Sequence, residues 1–289
     1  RRTRTIWILM KVYESLSNSD YHALTDYVSS SFVKGVAKHS IAKALQPIEP
    51  SQALLFGDAM HTYFEDRQAF HKRFKVFKDA EIIAQILERR PDIMAPTMTK
   101  DYKTYKNDFE CSLGENQVSI SEADMERIQH MYNSSLRNEA LKKVYDLYDP
   151  YDVWDEYSFL TTEPDLFDLM YRVRPDRLLV RKEEPLAIID WKSCRDASHK
   201  SFKSDFYKFR YDLQAAFYCD VLEIPLYNFY FVAIEKEFPY NTAVYSLDEM
   251  TQTNAMQELN VIKYRIGEWK KNPTPELIGL ENANEITLL

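Results

Sequence analysis

Two short segments carry residue types that can do chemistry together. Arg174-Pro175-Asp176-Arg177 and, after a turn, Ala187-Ile188-Ile189-Asp190-Trp191-Lys192 place one acid on one apolar strand and an acid plus a lysine on the next. Two carboxylates can hold a hard divalent cation, whose preferred ligands are oxygens. Side chains two apart on a strand share a face, so Lys192 lies beside Asp190 while Trp191 points the other way. A cation held there would act on a non-bridging phosphate oxygen and offset charge on the leaving oxygen, and Lys192 would orient the attacking water or help deprotonate it. The chemistry is phosphodiester hydrolysis. Asp190 also ends the apolar run Leu186 to Ile189, where a carboxylate is costly unless it is paired or metal-bound. The competing reading is a surface hairpin closed by an Asp190 to Lys192 salt bridge, a common and weak arrangement.

Positioning these groups requires a sheet, and the hydrophobic period changes to suit one at Trp154. Runs at Glu156 to Thr161, Leu166 to Val173, Arg177 to Val180 and Leu186 to Trp191, separated by turn-like Glu-Pro-Asp and Lys-Glu-Glu-Pro segments, predict a strand meander. A helix is expected over Ser204 to Leu222, then strands at Tyr227 to Glu235 and Thr242 to Ser246, and a closing helix over Leu247 to Lys271. Upstream, helices are expected at Phe32 to Leu45, ended by Pro47 and Pro50, at Ala53 to Phe70, at Ala80 to Arg89, and from Ser121 to about Val144 behind a capping box. Pro91 to Lys106 reads as a loop. Helices on either side of a mixed central sheet define an α/β fold.

At 289 residues and 45% hydrophobic, the chain can bury one large core. The expected organisation is one catalytic domain over 10–289, mainly helical at 10–150 and sheet-rich at 151–289. Arg1 to Leu9 reads as an upstream or added scar before a natural start at Met10. No apolar run reaches membrane-spanning length and no leader is evident, so the expectation is a cytoplasmic protein without membrane association. Cys111, Cys194 and Cys219 form no CxxC pair, which excludes an iron–sulfur cluster or a four-cysteine zinc site. With 5 glycines and no glycine-rich loop before a helix, a P-loop or dinucleotide site is also excluded. The net charge of −8 runs against a grip on a polyanion. Tyr171 to Arg210, however, holds 11 Lys or Arg against 6 Asp or Glu, so the basic excess surrounds the suspected site. From it come the candidate DNA contacts Arg172, Arg174, Arg177, Arg195 and Lys200.

Other candidates are weaker one by one. Gln214 and Tyr218 are four apart on an expected helix and share a face, where they could contact DNA backbone or hold Lys192; an ordinary half-buried face has the same spacing. His61 lies on an apolar helix, where a lone histidine is usually structural, and Glu156 between aromatics could supply another carboxylate or be a solvated edge charge. Ser29 and Ser31 open a helix and could bind a 5′-phosphate or simply cap it.

Taken in order, these segments resemble the RecE-type (exonuclease VIII) branch of the PD-(D/E)xK nucleases, relatives of the RecB nuclease domain. Tyr21-His22-Ala23-Leu24 with Ser29 to Ser31 resembles the opening, Phe56 to His61 with Phe70 the histidine helix, and Trp154 to Phe159 the first core strand. Arg174 to Arg177, Ile189 to Lys192, Asp212 to Tyr218, Phe231 to Glu237 and Pro239-Tyr240 follow in family order. Ser193 stands where the family has a threonine after the catalytic lysine. The resemblance implies a Mg²⁺-dependent exonuclease, with Mn²⁺ as a substitute, that degrades one strand of duplex DNA from a 5′ end and leaves a 3′ tail. It further implies metal binding at His61, Asp176, Asp190 and the carbonyl of Trp191, catalysis by Lys192, and a place for Gln214 and Tyr218 on the active-site helix. A toroidal homo-oligomer of three or four chains, a RecT-like annealing partner and a phage or prophage setting belong to the same implication. The alternatives are an end-independent endonuclease or single-strand exonuclease with the same centre, and a non-catalytic scaffold for DNA ends.

Overall fold

The structure is a computed structural model that describes residues 10–47, 49 and 51–274. The expectations for Arg1 to Leu9 and for Pro50 lie outside these residues. The chain opens with β1 (Lys11–Tyr13), α1 (Asn18–Ala23), α2 (Ser30–Lys38) and α3 (Ile41–Ala44). The single helix expected over 32–45 is thus two. Ser40 breaks it in extended backbone, its hydroxyl accepting from the Lys43 amide at 3.2 Å. Gly35 lets the halves fold together, because a Cβ there would stand 2.8 Å from the Cβ of Ala44.

Two further helices expected as continuous divide in the same way. Asp66 separates α4 (Gln52–Glu65) from α5 (Arg67–Arg73), its carboxylate accepting from the Gln68 and Ala69 amides at 2.7 and 3.0 Å. After β2 (Phe74–Phe77) and α6 (Asp79–Arg89), the expected loop at 91–106 is instead a 3₁₀ turn followed by α7 (Lys100–Cys111), which Thr99 caps. The α7 helix fully buries no residue; its short aromatic stripe, Tyr102 and Phe109, rests on Phe77 within an otherwise charged sequence. Beyond β3 (Val118–Ser121), Asn138 separates α8 (Glu122–Arg137) from α9 (Glu139–Tyr148), accepting from the Leu141 amide at 2.9 Å.

The expected meander is split between two sheets. It comprises β4 (Asp152–Asp155), β5 (Ser158–Glu163), β6 (Leu169–Val173), β7 (Arg177–Arg181) and β8 (Glu184–Cys194). These are followed by α10 (His199–Lys208), α11 (Tyr211–Leu222), β9 (Phe229–Glu235), β10 (Thr242–Tyr245) and α12 (Glu249–Lys271). The main sheet runs β10-β9-β8-β7-β4, with β8 parallel to β9 and the other neighbours antiparallel. The order β1-β5-β6 forms a second, antiparallel sheet, and β2 pairs with β3. Between β4 and β5, and again between β6 and β7, the chain crosses from one sheet to the other. Glu156 stands at the first crossing and Asp176 at the second, so Glu156 is not within a strand as expected. It has a left-handed φ of 56°, and its amide donates to the Asp176 carbonyl at 3.3 Å.

Helices cover both faces of the main sheet, the mixed α/β arrangement expected from the sequence. One core joins Ile188 and Cys194 of β8 to α2, α11 and α12; the other joins Ile189 and Trp191 to α4 and α8. The strand β8 is therefore buried on both faces, and its alternation sends Asp190 and Lys192 towards α11.

Thiol accessibility checks this packing. Cys111 is exposed while Cys194 and Cys219 are buried, and burial pushes the Cys194 thiol up to about 12 and raises Cys219 as well. Titration of the native chain with a thiol reagent should modify Cys111 alone, and denaturant should release the other two. Rapid native modification of Cys194 would contradict the core described.

Candidate active site

Asp190 has no exposed surface, so each of its oxygens needs a partner. Gln214 on α11 donates Nε2 to Oδ1 at 2.6 Å, and the Lys192 ammonium forms a close ion pair with Oδ2. The pair lies in the interior, which removes the surface-hairpin reading. Burial raises the Asp190 carboxyl to about 6, with Lys192 pulling the other way and Asp176 adding to the rise. Burial also works against the Lys192 charge, but Asp190 and then Asp176 outweigh it and hold the ammonium above its ordinary value.

Asp176 lies against this pair and against α4. Its Oδ2 accepts the Trp191 amide at 2.8 Å and sits 3.2 Å from His61 Nδ1. Burial opposes ionisation of Asp176, yet His61, Lys192 and the Trp191 amide together lower it. Burial opposes charge on His61 too, but Asp176 and Glu65 hold the imidazole well above its usual range. Glu65 was not singled out from sequence. It lies one turn after His61 on α4, its Oε1 3.7 Å from Nδ1, and that oxygen has no hydrogen-bond partner. Burial raises Glu65 strongly. The signal available in sequence was the i, i+4 spacing of His61 and Glu65, which puts both on one helix face.

His61, Glu65 and Asp176 each offer a ligand atom within 4.8 Å of the others. One nitrogen and two carboxylate oxygens around an orphaned buried oxygen suit a divalent cation. This set adds Glu65 to the one implied by the resemblance; Asp190, implied there as a ligand, is bonded by Gln214 at Oδ1 and ion-paired with Lys192 at Oδ2, and Oδ2 too has no hydrogen-bond partner. Trp191 contributes its amide to Asp176, and its ring packs on Phe64 at 5.3 Å.

The remaining candidates fall into separate groups. Burial, reinforced by Asp176, raises Glu156 to about 7 at its sheet crossing. Tyr218 donates to the Arg174 carbonyl at 3.2 Å. The Arg174 guanidinium donates to Ser158 Oγ and the Leu16 carbonyl, each at 2.8 Å, and lies 3.8 Å from Glu156. Arg172 donates to the Tyr21 carbonyl. Arg177 is spent in a fork on Asp155 at 2.7 and 2.8 Å with a further bond to Tyr145, on the α4 side of the sheet, so it is a structural anchor and not an open DNA contact. Ser29 caps α2, accepting from the Phe32 amide at 3.3 Å, and Ser31 is exposed beside it. Arg195 and Lys200 lie on the surface beyond the end of β8. Lys34 on α2, not anticipated, donates to Gln214 Oε1 at 3.2 Å, and burial next to Lys192 lowers it to about 8.

A PDDEXK-like domain of unknown function (DUF3799) matches residues 17–276. The chain belongs to this family. That membership places the PDDEXK-like chain in the PD-(D/E)xK nuclease superfamily, whose members generally use divalent metals. No curated protein matches it. Among solved structures, a protein from Eubacterium rectale named "Putative exonuclease" is similar in fold, with a TM-score of 0.54 and 15% identity, covering 90% of this chain and 88% of that one. A second structure, SSO0001, is covered to 91% against 74% of this chain at 12% identity, with a TM-score of 0.26. Among the described residues no helix is long and apolar enough to cross a membrane.

Cation binding tests the constellation. Calorimetry with Mn²⁺ should show one saturable site that Glu65→Gln weakens about tenfold or more. Protonated Asp190 and Glu156, at about 6 and about 7, and the protonated His61 oppose the cation, so affinity should rise with pH through that range and binding should release protons. Binding that is independent of pH, or unaffected by Glu65→Gln, would exclude this ligand set.

Proposed function

We propose that this chain is a divalent-metal-dependent DNA exonuclease of the RecE type, acting at duplex ends from the 5′ side and leaving a 3′ single-stranded tail for recombination by strand annealing. The observation that carries it is the position of Asp176, with His61 and Glu65 on one side and the buried Asp190 and Lys192 pair on the other. Mg²⁺ or Mn²⁺ held by His61, Glu65 and Asp176 would supply Lewis-acid stabilisation of the phosphoryl charge.

The residues of the chain do the rest. Gln214 fixes Asp190, and Asp190 keeps Lys192 charged in the interior. An ammonium held this way donates to a phosphate oxygen or orients the attacking water, and it needs no reorganisation during the reaction. Lys34, lowered to about 8, bonds the other end of the Gln214 amide and so fixes which way that amide faces. Glu156, at about 7, is poised to exchange a proton near neutral pH beside Asp176.

Action at an end draws support from a cavity of about 440 Å³ beside the site, lined by Ser29, Ser30, Ser31, Arg172, Arg174 and Tyr218 among others. The start of α2 lines it, with Arg172 and Arg174 behind, a setting suited to a terminal phosphate. The annealing partner, the ring of three or four chains and the phage or prophage setting in a bacterial cytoplasm complete the reading, supported by the family resemblance and by the basic stretch within an acidic chain.

Two experiments test it. Asp190→Asn and Lys192→Gln should each lower metal-dependent release of nucleotides from linear duplex by roughly a hundredfold or more while circular dichroism stays native. Retained activity in either would refute the assigned centre. Covalently closed circular DNA should remain intact under conditions that digest the linear form, and 5′-labelled ends should be released before 3′-labelled ones. Cutting of the closed circle would show an endonuclease.

A further inference from the structure

The helix expected over 204–222 is interrupted at Phe209 and Arg210, and the interruption has a cost. Arg210 adopts a left-handed φ of 54°, unfavourable for a residue with a side chain. It is held there by bidentate bonds to Asp212 at 3.0 and 3.1 Å and to Glu258 at 2.6 and 2.7 Å. Those contacts neutralise Arg210 and pin the turn. What the turn displays is Phe209, 41% exposed at the surface. The ammonium groups of Lys208 and Lys38 lie 5.2 and 5.5 Å from the centre of its ring.

This group is continuous with the active site. Phe209 stacks on Tyr211 with centroids 5.7 Å apart, and the Tyr211 ring in turn carries the Lys192 ammonium at 5.0 Å and that of Lys34 at 6.0 Å. Alternating rings and ammonium groups therefore run from the buried catalytic lysine to solvent. Among the described residues no carboxylate forms an ion pair with Lys38, and burial lowers it, with Arg210 and Lys208 adding to the fall. An exposed ring flanked by two ammonium groups that form no ion pair among the described residues combines what a nucleotide strand asks for, a face for a base and positive charge for its phosphates.

We propose that Phe209, with Lys38 and Lys208, forms a stacking platform for the single-stranded stretch of DNA adjoining the scissile phosphate, one base lying on the ring and neighbouring phosphates on the two lysines. The platform rests on the nuclease reading and specifies how that site engages a strand. The left-handed Arg210 is the support that fixes the ring outside both helices, and binding places no demand on base identity because every base offers a stacking face.

Fluorescence anisotropy with a labelled oligothymidylate of about 12 nucleotides, in Ca²⁺ to prevent cleavage, tests this on the intact chain. Phe209→Ala should bind roughly tenfold more weakly, and Phe209→Trp should restore affinity. Lys38→Ala and Lys208→Ala should each reduce the slope of log affinity against log salt by about 0.7, whereas Lys142→Ala, on the distant α9, should leave it unchanged. If the wild type binds the oligonucleotide and digests linear duplex while affinity and slopes are unchanged in all three platform variants, the platform is refuted and the nuclease reading stands. A wild type that digests duplex without binding the oligonucleotide refutes the platform alone. One that neither binds nor cuts removes both.

Discussion

A carboxylate with no access to water, in the central strand of a sheet covered on both faces, is unstable unless its charge is answered at once. Asp190 is in that position, and much of the surrounding structure reads as the answer. Lys192 provides the charge, Gln214 a donor, and Lys34 secures Gln214 from behind. Each comes from a different part of the chain, so α2, β8 and α11 must all be in place before the acid is tolerated. Removing one partner from such a group costs several kcal/mol, because the other charge is left buried and unpaired. The arrangement is therefore a poor source of stability but a strict condition on geometry.

A second constraint comes from the sheets. A residue inside a ladder has its backbone groups committed, whereas Glu156 and Asp176 sit where the chain leaves one sheet for the other. Asp176 is buried and Glu156 half-exposed, and neither carboxylate is tied into a ladder. The bond from the Glu156 amide to the Asp176 carbonyl ties the two crossings together. Helix α4 then brings His61 and Glu65 from the opposite layer. Groups from both hydrophobic cores meet at this seam.

Much of this was legible in the sequence, and the failures have physical causes. Strand alternation correctly set Asp190 and Lys192 on one side of β8 and Trp191 on the other, and the apolar run before Asp190 marked a buried acid. Helix breaks were missed at Ser40, Asp66 and Asn138, where a short polar side chain in a long apolar pattern caps a new helix instead of continuing the old one. The break at Arg210 is held by Asp212 two residues on and by Glu258, and only the first of these is near in sequence. The α7 helix was missed since it fully buries no residue. Glu65 has no distinct signal, because a single acid one turn from His61 on an amphipathic helix looks like solvated surface without Asp176 beside it. Arg177, counted among the basic contacts, proved to be committed to Asp155, a pairing across β4 and β7 that charge counting does not reveal.

The seam between the two cores also bears on how the molecule loses its competence. Regions of a folded chain open in cooperative blocks with different free energies. His61 and Glu65 ride on the helical block packed against one face of the main sheet, whereas Lys192, Gln214 and the Phe209 ring belong to the block on the other. A transient detachment of the first block would dismantle the cation ligands and leave the cationic, aromatic approach intact. On the proposed reading, the chain would then hold a strand without being able to cut it.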